Sequence, residues 1–260
     1  MIGIAGCGRM GGPMLAALRG AGFEAQGFDI VPKSGGWITT DPAMFAIGID
    51  TLISVVRDED QTESVLFGKQ NFVTAPNLRR IIISSTLSPR YVRKLINRVP
   101  EHIVLIDAPM SGAQVAAETA SLSFMLGGEE ADLNAAQPLF KAMGKHFHRV
   151  GPFGAGMQAK VLNNLLAATN TAMTRLVLDW ADQTGIDEDG LLELINTSSG
   201  QNWFASGYRN IEFARDGHSS GNSIGILVKD IDAAMDAAPS GADKALPEAI
   251  KAAVKRLRPR

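Results

Sequence analysis

The chain has 260 residues, 45% of them apolar and 20% charged, with a formal net charge of −2. That length suffices for one large globular domain or two modest ones, and the near-neutral balance argues against a nucleic-acid or anionic-membrane surface. The single cysteine, Cys7, excludes an intrachain disulfide and fits a reducing compartment.

The chain opens with "MIGIAG", a strand ending in glycine. Strand-like residues from Ile2 leave no room for a targeting peptide, so a cytoplasmic location is expected. A helical pattern runs from Met10 to about Arg19, and "FEAQGFD" reads as a second strand. "TLISVV" (51–56) and "RIIISST" (80–86) are compact β-branched runs of the kind found in buried parallel strands. Helical stretches lie near Asp60–Phe67 and Pro89–Arg98. "HIVLIDAP", "SLSFMLGG" and "KHFHRVG" supply further strands. Repeated strand–helix–strand units predict an α/β fold with a Rossmann-type doubly wound sheet over residues 1–151.

Beyond Gly151 the pattern turns helical, broken by clusters such as "NTSSGQN" and "DGHSSGNS". An all-α C-terminal domain is expected over residues 152–260. The stretch 161–174 carries three asparagines and three threonines, and reads as a buried helix, not a membrane span. The basic tail "KRLRPR" reads as a frayed, solvated terminus. No metal-ligating cluster is expected.

Three segments carry chemistry. "GIAGCGRMGGPM" places G-x-G-x-x-G at Gly6, Gly8 and Gly11, between a strand and a helix. Gly6 permits the tight turn, Gly8 lets backbone N–H groups approach a pyrophosphate, and Gly11 allows close helix–strand packing. These glycines, with Arg9 and Met10 among them, are the candidate cofactor loop. Asp29 ends the second strand where an acid accepts hydrogen bonds from a ribose 2′-OH and repels a 2′-phosphate. NAD is therefore expected; Lys33 nearby leaves NADP open.

The second segment is "GAGMQAKVLNN". Helical spacing puts Lys160, Asn163 and Asn164 at i, i+3 and i+4, on one face among apolar neighbours. An amine that loses hydration exchanges its proton more readily, and an amide holds a substrate oxygen without adding charge. The competing reading is a snorkelling lysine beside two ordinary helix asparagines. In the third segment, "DAPMSGAQVAAETASLSFMLGG", Ser111 and Gly112 follow a strand at the edge where open α/β sheets bind ligands. A hydroxyl and free N–H groups there suit a carboxylate; a turn serine capping its own backbone is the alternative.

These segments together resemble the β-hydroxyacid dehydrogenase family, which includes 3-hydroxyisobutyrate dehydrogenase, tartronate semialdehyde reductase and 6-phosphogluconate dehydrogenase. "GIAGCGRMGGPM" resembles its cofactor block and "DAPMSGAQ" its D-A-P-V-S-G-G substrate block. "GAGMQAKVLNN" resembles its G-x-G-x-x-x-K-x-x-N-N catalytic block, and "LVKDIDAAMDAA" its K-D-L-x-x-A block. The resemblance implies NAD(P)-linked interconversion of a small 3-hydroxy acid and its semialdehyde, with Lys160 as the acid/base. It implies that Ser111, Gly112, Asn163, Asn164 and Asp230 bind substrate. Lys229, Thr86, Val55 and Val56 would contact the cofactor. Trp203 would shape the substrate pocket, or be a core aromatic. Family members are usually dimers or tetramers, so a homodimer or homotetramer is implied.

The chain departs from the family pattern in several places. Ala113 replaces the last glycine of the substrate block, and "ASL" (120–122) replaces G-T-L. Arg57 replaces a proline, and Arg175 an acid of the long helix. The family's final helical stretch has no counterpart after "AIKAAVKRLRPR". Two alternatives follow: a non-catalytic NAD(P)-binding sensor or scaffold, and an imine reductase on the same fold.

Overall fold

In the computed structural model, which describes residues 1–260, the apolar runs of the first half line up as one sheet. In chain order the elements are β1 (Ile2–Ala5), α1 (Gly11–Gly20), β2 (Ala25–Phe28), β3 (Ile38–Thr39), α2 (Pro42–Gly48), β4 (Thr51–Ser54), α3 (Glu59–Leu66), β5 (Arg80–Ile83), α4 (Pro89–Lys94), β6 (Val104–Asp107), β7 (Met110–Ser111), α5 (Ala113–Glu118), β8 (Leu122–Gly127), α6 (Glu130–Met143) and β9 (Gly144–Gly151). A long helix follows, α7 (Ala155–Thr184), then α8 (Glu188–Asn196), α9 (Trp203–Gly207), α10 (Ser223–Asp236) and α11 (Ala245–Lys255). The fold is the expected α/β sheet followed by helices.

Strand order is β3-β2-β1-β4-β5-β6-β8-β7, with β9 pairing β8. The stretch from β3 to β6 is parallel throughout and has the order of a dinucleotide-binding sheet. Register explains the isoleucine-rich runs: Ile4, Ile53, Ile82 and Ile106 sit side by side across four strands, all buried in one core layer. Leu52 and Ile81 point into the opposite layer with Phe45, Phe72 and Met157. Strands covered on both faces need continuous apolar runs, which the sequence supplies. The next register row contains Ala5, Ser54, Ile83 and Asp107, all buried, so a carboxylate ends the row.

Three strands differ from a simple doubly wound pattern. β8 runs antiparallel to β6 and β7, and β3 and β7 are only two residues long. The chain divides into two compact units, Met1–Lys160 and Val161–Arg260, so α7 starts in the first and continues in the second.

In the second unit, side chains of Asp187, Asn202 and Asn222 cap α8, α9 and α10 by accepting N–H groups of their first turns. The stretch 161–174 is not wholly buried as expected: Leu166 is 66% exposed, and Leu162 and Met173 are exposed beside it. The tail corrects a second expectation, because it is docked, not frayed. Arg260 pairs with Asp179, Asp182 and Glu188, and its backbone N–H donates to Arg215 O. The N–H of His218 donates to Leu257 O. No helix is long and apolar enough to cross a membrane.

Candidate active site

The turn after β1 shows why three glycines are needed. Gly6 has φ +94°, and a Cβ there would meet Val55 O at 2.6 Å. A Cβ on Gly11 would meet Gly6 O at 1.9 Å, so only glycine lets α1 start so close to the strand. Gly8 is different: it is exposed, and a Cβ would meet nothing within 4 Å. Its lack of a side chain serves the open side, where a pyrophosphate has room to approach N–H groups at a helix start. Arg9 is exposed and Met10 half-buried on the same turn.

Asp29, one residue past β2, holds this loop. Its Oδ2 accepts the N–H of Cys7 at 3.0 Å and its Oδ1 that of Val31 at 2.9 Å. Burial, and then Asp29 beside it, push the Cys7 thiol up to about 12, so Cys7 acts as a small apolar side chain.

Val55 and Val56 follow β4 directly, half-buried, and Thr86 lies three residues past the end of β5. Between them, at the carboxyl ends of β4 and β5, the buried hydroxyls of Ser54 and Ser84 have no hydrogen-bond partner within the chain. Polar groups left over at that sheet edge, together with the open glycine turn and Asp29, fit a dinucleotide. Ser111 ends β7 and Gly112 follows with φ +135°, both half-buried.

Asp107, at the end of β6, has no exposed surface. Its Oδ1 accepts the N–H of Gly154 at 2.7 Å and its Oδ2 that of Met157 at 2.5 Å. The carboxylate therefore caps the start of α7 from another strand. Burial pushes the Asp107 carboxyl up to about 6, against the opposing pull of the two N–H groups and, more weakly, of Arg93. The folded value lies above the unfolded one. The stability contributed by the protonated form is thus present below about pH 3.8 and lost as pH rises through about 6. Sequence reading gave Asp107 no role; a lone acid closing the apolar run "HIVLID" was the available signal.

Lys160 lies one turn into α7 and is only 6% exposed. Four residues on, Asn164 is 8% exposed and donates from Nδ2 to Asp230 Oδ2 at 2.6 Å. Asp230, on α10, is buried, and the Lys229 ammonium lies 3.1 Å from its Oδ1 without hydrogen-bond alignment. Asn163 is exposed, with only a long 3.4 Å contact to Asn164 Oδ1. Trp203 is 46% exposed, with ring contacts to Phe204 and Phe213, so it is no core aromatic.

Comparison with known proteins places this arrangement. Residues 1–151 match the model of the NAD binding domain of 6-phosphogluconate dehydrogenase, and residues 154–255 that described as NAD-binding of NADP-dependent 3-hydroxyisobutyrate dehydrogenase. The NAD-dependent L-serine dehydrogenase of Pseudomonas aeruginosa is 31% identical over 258 residues, 93% of this chain and 86% of that protein. The mitochondrial 3-hydroxyisobutyrate dehydrogenase of Rattus norvegicus is 30% identical over 92% of this chain and 76% of its own. The chain belongs to the β-hydroxyacid dehydrogenase family. It is an oxidoreductase of that class, with an NAD(P)-binding domain. A structure of the Mycobacterium tuberculosis 3-hydroxyisobutyrate dehydrogenase with L-serine has a TM-score of 0.78 at 27% identity, covering 99% of this chain and 95% of that one.

Two departures from the family pattern now have a physical meaning. Ala113 and Ala120 stand where that pattern has glycine, and both have positive φ, +58° and +48°. A left-handed alanine costs about 1–2 kcal/mol, and glycine's extra freedom in the unfolded chain returns only about 0.5–1 kcal/mol of that. Relief of strain therefore wins. Ala113→Gly is expected to raise the thermal midpoint by roughly 1–4 °C; a lower midpoint in calorimetry would mean that the loop carries no such strain.

Proposed function

We propose that the protein catalyses the reversible, NAD-linked oxidation of a small 3-hydroxy acid to its semialdehyde, with Lys160 as general acid/base. The observation that carries the reading is a buried amine on α7, one turn before a buried amide whose orientation is fixed by a buried carboxylate. Bound NAD supplies the hydride acceptor. In oxidation, Lys160 Nζ takes the hydroxyl proton; in reduction it returns it. Asn164 donates one N–H to Asp230 and its carbonyl oxygen takes only the long contact from Asn163, which leaves its second N–H and one carbonyl lone pair for substrate. Ser111 Oγ and the Gly112 backbone offer donors for a carboxylate, and Asn163 and Trp203 are the further residues assigned to substrate.

Gly6, Gly8, Arg9, Met10 and Gly11 would hold the dinucleotide. Val55, Val56, Thr86 and Lys229 would contact it as well. Asp29 would select NAD over NADP, since a carboxylate repels a 2′-phosphate. The domain roles are then cofactor binding in residues 1–151, with Ser111 and Gly112 assigned to substrate, and substrate binding and self-association in 152–260, with Lys229 assigned to the cofactor. The exposed stripe Leu162, Leu166, Met173, Leu176 and Trp180 is the face we assign to pairing of two copies. Sedimentation equilibrium should then give a mass above that of one chain.

The test is NADH oxidation by the purified protein against a panel of small semialdehydes, with NADPH in parallel. Turnover with NADH, and at least tenfold less with NADPH, is expected on the order of a single charge–charge discrimination. Activity on a cyclic imine and on no semialdehyde would replace the reading with imine reduction. Cofactor binding without turnover on any compound would leave a sensor.

A further inference from the structure

We propose that Asp107 is a positioning residue for the reaction: its carboxylate fixes the first turn of α7 and thereby the place of the Lys160 amine. The inference rests on the acid/base reading of Lys160.

α8, α9 and α10 of the second unit are capped by side chains next to them in sequence. α7 starts after Gly154, which has no side chain to cap with. The acceptor comes instead from β6, 47 and 50 residues earlier, on the N–H groups of Gly154 and Met157. Lys160 follows Met157 by three residues, so the anchored turn leads directly to the amine.

The surroundings are shaped around this carboxylate. A Cβ on Gly127 would meet Asp107 Oδ1 at 2.1 Å, and one on Gly156 would meet Met125 O at 2.3 Å and Asp107 Oδ2 at 3.0 Å. β8 and α7 thus meet the acid with glycine and backbone. Met157 is held a second time, its sulfur lying 3.4 Å from the N–H of Leu87. From α4, Arg93 is the charged group that bears on Asp107; it packs over Gly154 and donates to Gln158 at 3.2 Å.

Folding alone does not call for a charge here. The raised carboxyl means that stability falls as Asp107 ionises, yet the ionised form is the one that can accept both N–H groups. A buried charge kept against that cost, at the root of the helix bearing the amine, serves the geometry of the amine.

The test compares Asp107→Asn with Lys160→Ala in steady-state reduction. Asparagine has the same shape but turns one acceptor into a donor facing an N–H. In D107N we expect kcat to fall about 10- to 100-fold, with NADH affinity unchanged, as a displaced catalytic group does. Should D107N not fold, the native enzyme supplies the measurement. In reduction Lys160 acts as the acid, so its own protonation does not slow the reaction at low pH. A loss of kcat below about pH 6, tracking the Gly154 and Met157 amide resonances, is then expected. Native kcat in D107N, or a kcat independent of those resonances, overturns the role of Asp107. Native activity in K160A would instead sink the reading of Lys160 on which it stands.

Discussion

Replacing Lys160 with alanine is expected to lower kcat by about 10²–10⁴-fold while NADH affinity stays within about twofold of the native value. The range is what a positioned proton donor or acceptor contributes. Lys160 is 6% exposed, so the change also removes a buried stem, and loss of packing must be separated from loss of chemistry. Arginine makes the separation. Its guanidinium keeps a positive charge and a long stem but cannot give up its proton in a protein. If Nζ moves a proton, Lys160→Arg should be as slow as Lys160→Ala. If only a fixed charge is needed, the arginine variant should recover much of the rate. Steady-state reduction of a semialdehyde, with NADH affinity measured by fluorescence, reads both. A snorkelling lysine with no part in the chemistry would leave kcat within a few fold in either variant.

What could be read in the sequence was what neighbours in the chain decide. The row Ile4, Ile53, Ile82 and Ile106 is buried on a sheet covered on both faces, so each strand announces itself as a β-branched run. The glycine loop was legible because its spacing sits between a strand and a helix, although the clash that requires Gly6 comes from Val55 O, far off in the chain, and Gly8 faces open space. β3 and β7 have two residues each, too few for any periodicity to appear. Asn163 and Asn164 looked equivalent. At 3.6 residues per turn they lie on opposite flanks of Lys160, roughly 60° and 40° away, and burial falls on the side of Asn164. The role of Asp107 and the docking of the tail were invisible for one reason. Their partners are 39 to 82 residues distant in sequence, from His218 with Leu257 to Leu178 with Arg260, and no local pattern encodes them.

Replacing Arg175 with alanine is expected to destabilise the helical unit by about 3–5 kcal/mol, because three carbonyl oxygens lose their donor at roughly 1–3 kcal/mol each. Arg175 is 2% exposed on α7. Its Nη1 donates to Ala214 O at 2.8 Å and Asp216 O at 2.9 Å, and its Nη2 donates to Arg258 O. One guanidinium therefore ties the loop before α10 and the tail after α11 to the long helix. Burial lowers its pKa, with Arg260 and Arg215 nearby acting in the same direction, while Tyr208 and Asp179 oppose them. The family pattern has an acid at this position, which would repel these carbonyls, so the loop and tail must be held here in a way that depends on the arginine. Two of the three tryptophans, Trp180 and Trp203, lie in the helical unit and report its unfolding by fluorescence. At about 1–3 kcal/mol per molar urea, the loss should move the midpoint down by roughly 1–5 M. Trypsin should at the same time cut faster after Arg256, because the tail loses its tie at Arg258. An unchanged midpoint would mean that desolvating the guanidinium cancels its three hydrogen bonds, and the docked tail would then owe its place to the Arg260 ion pairs and to the backbone bonds at Arg215 and His218.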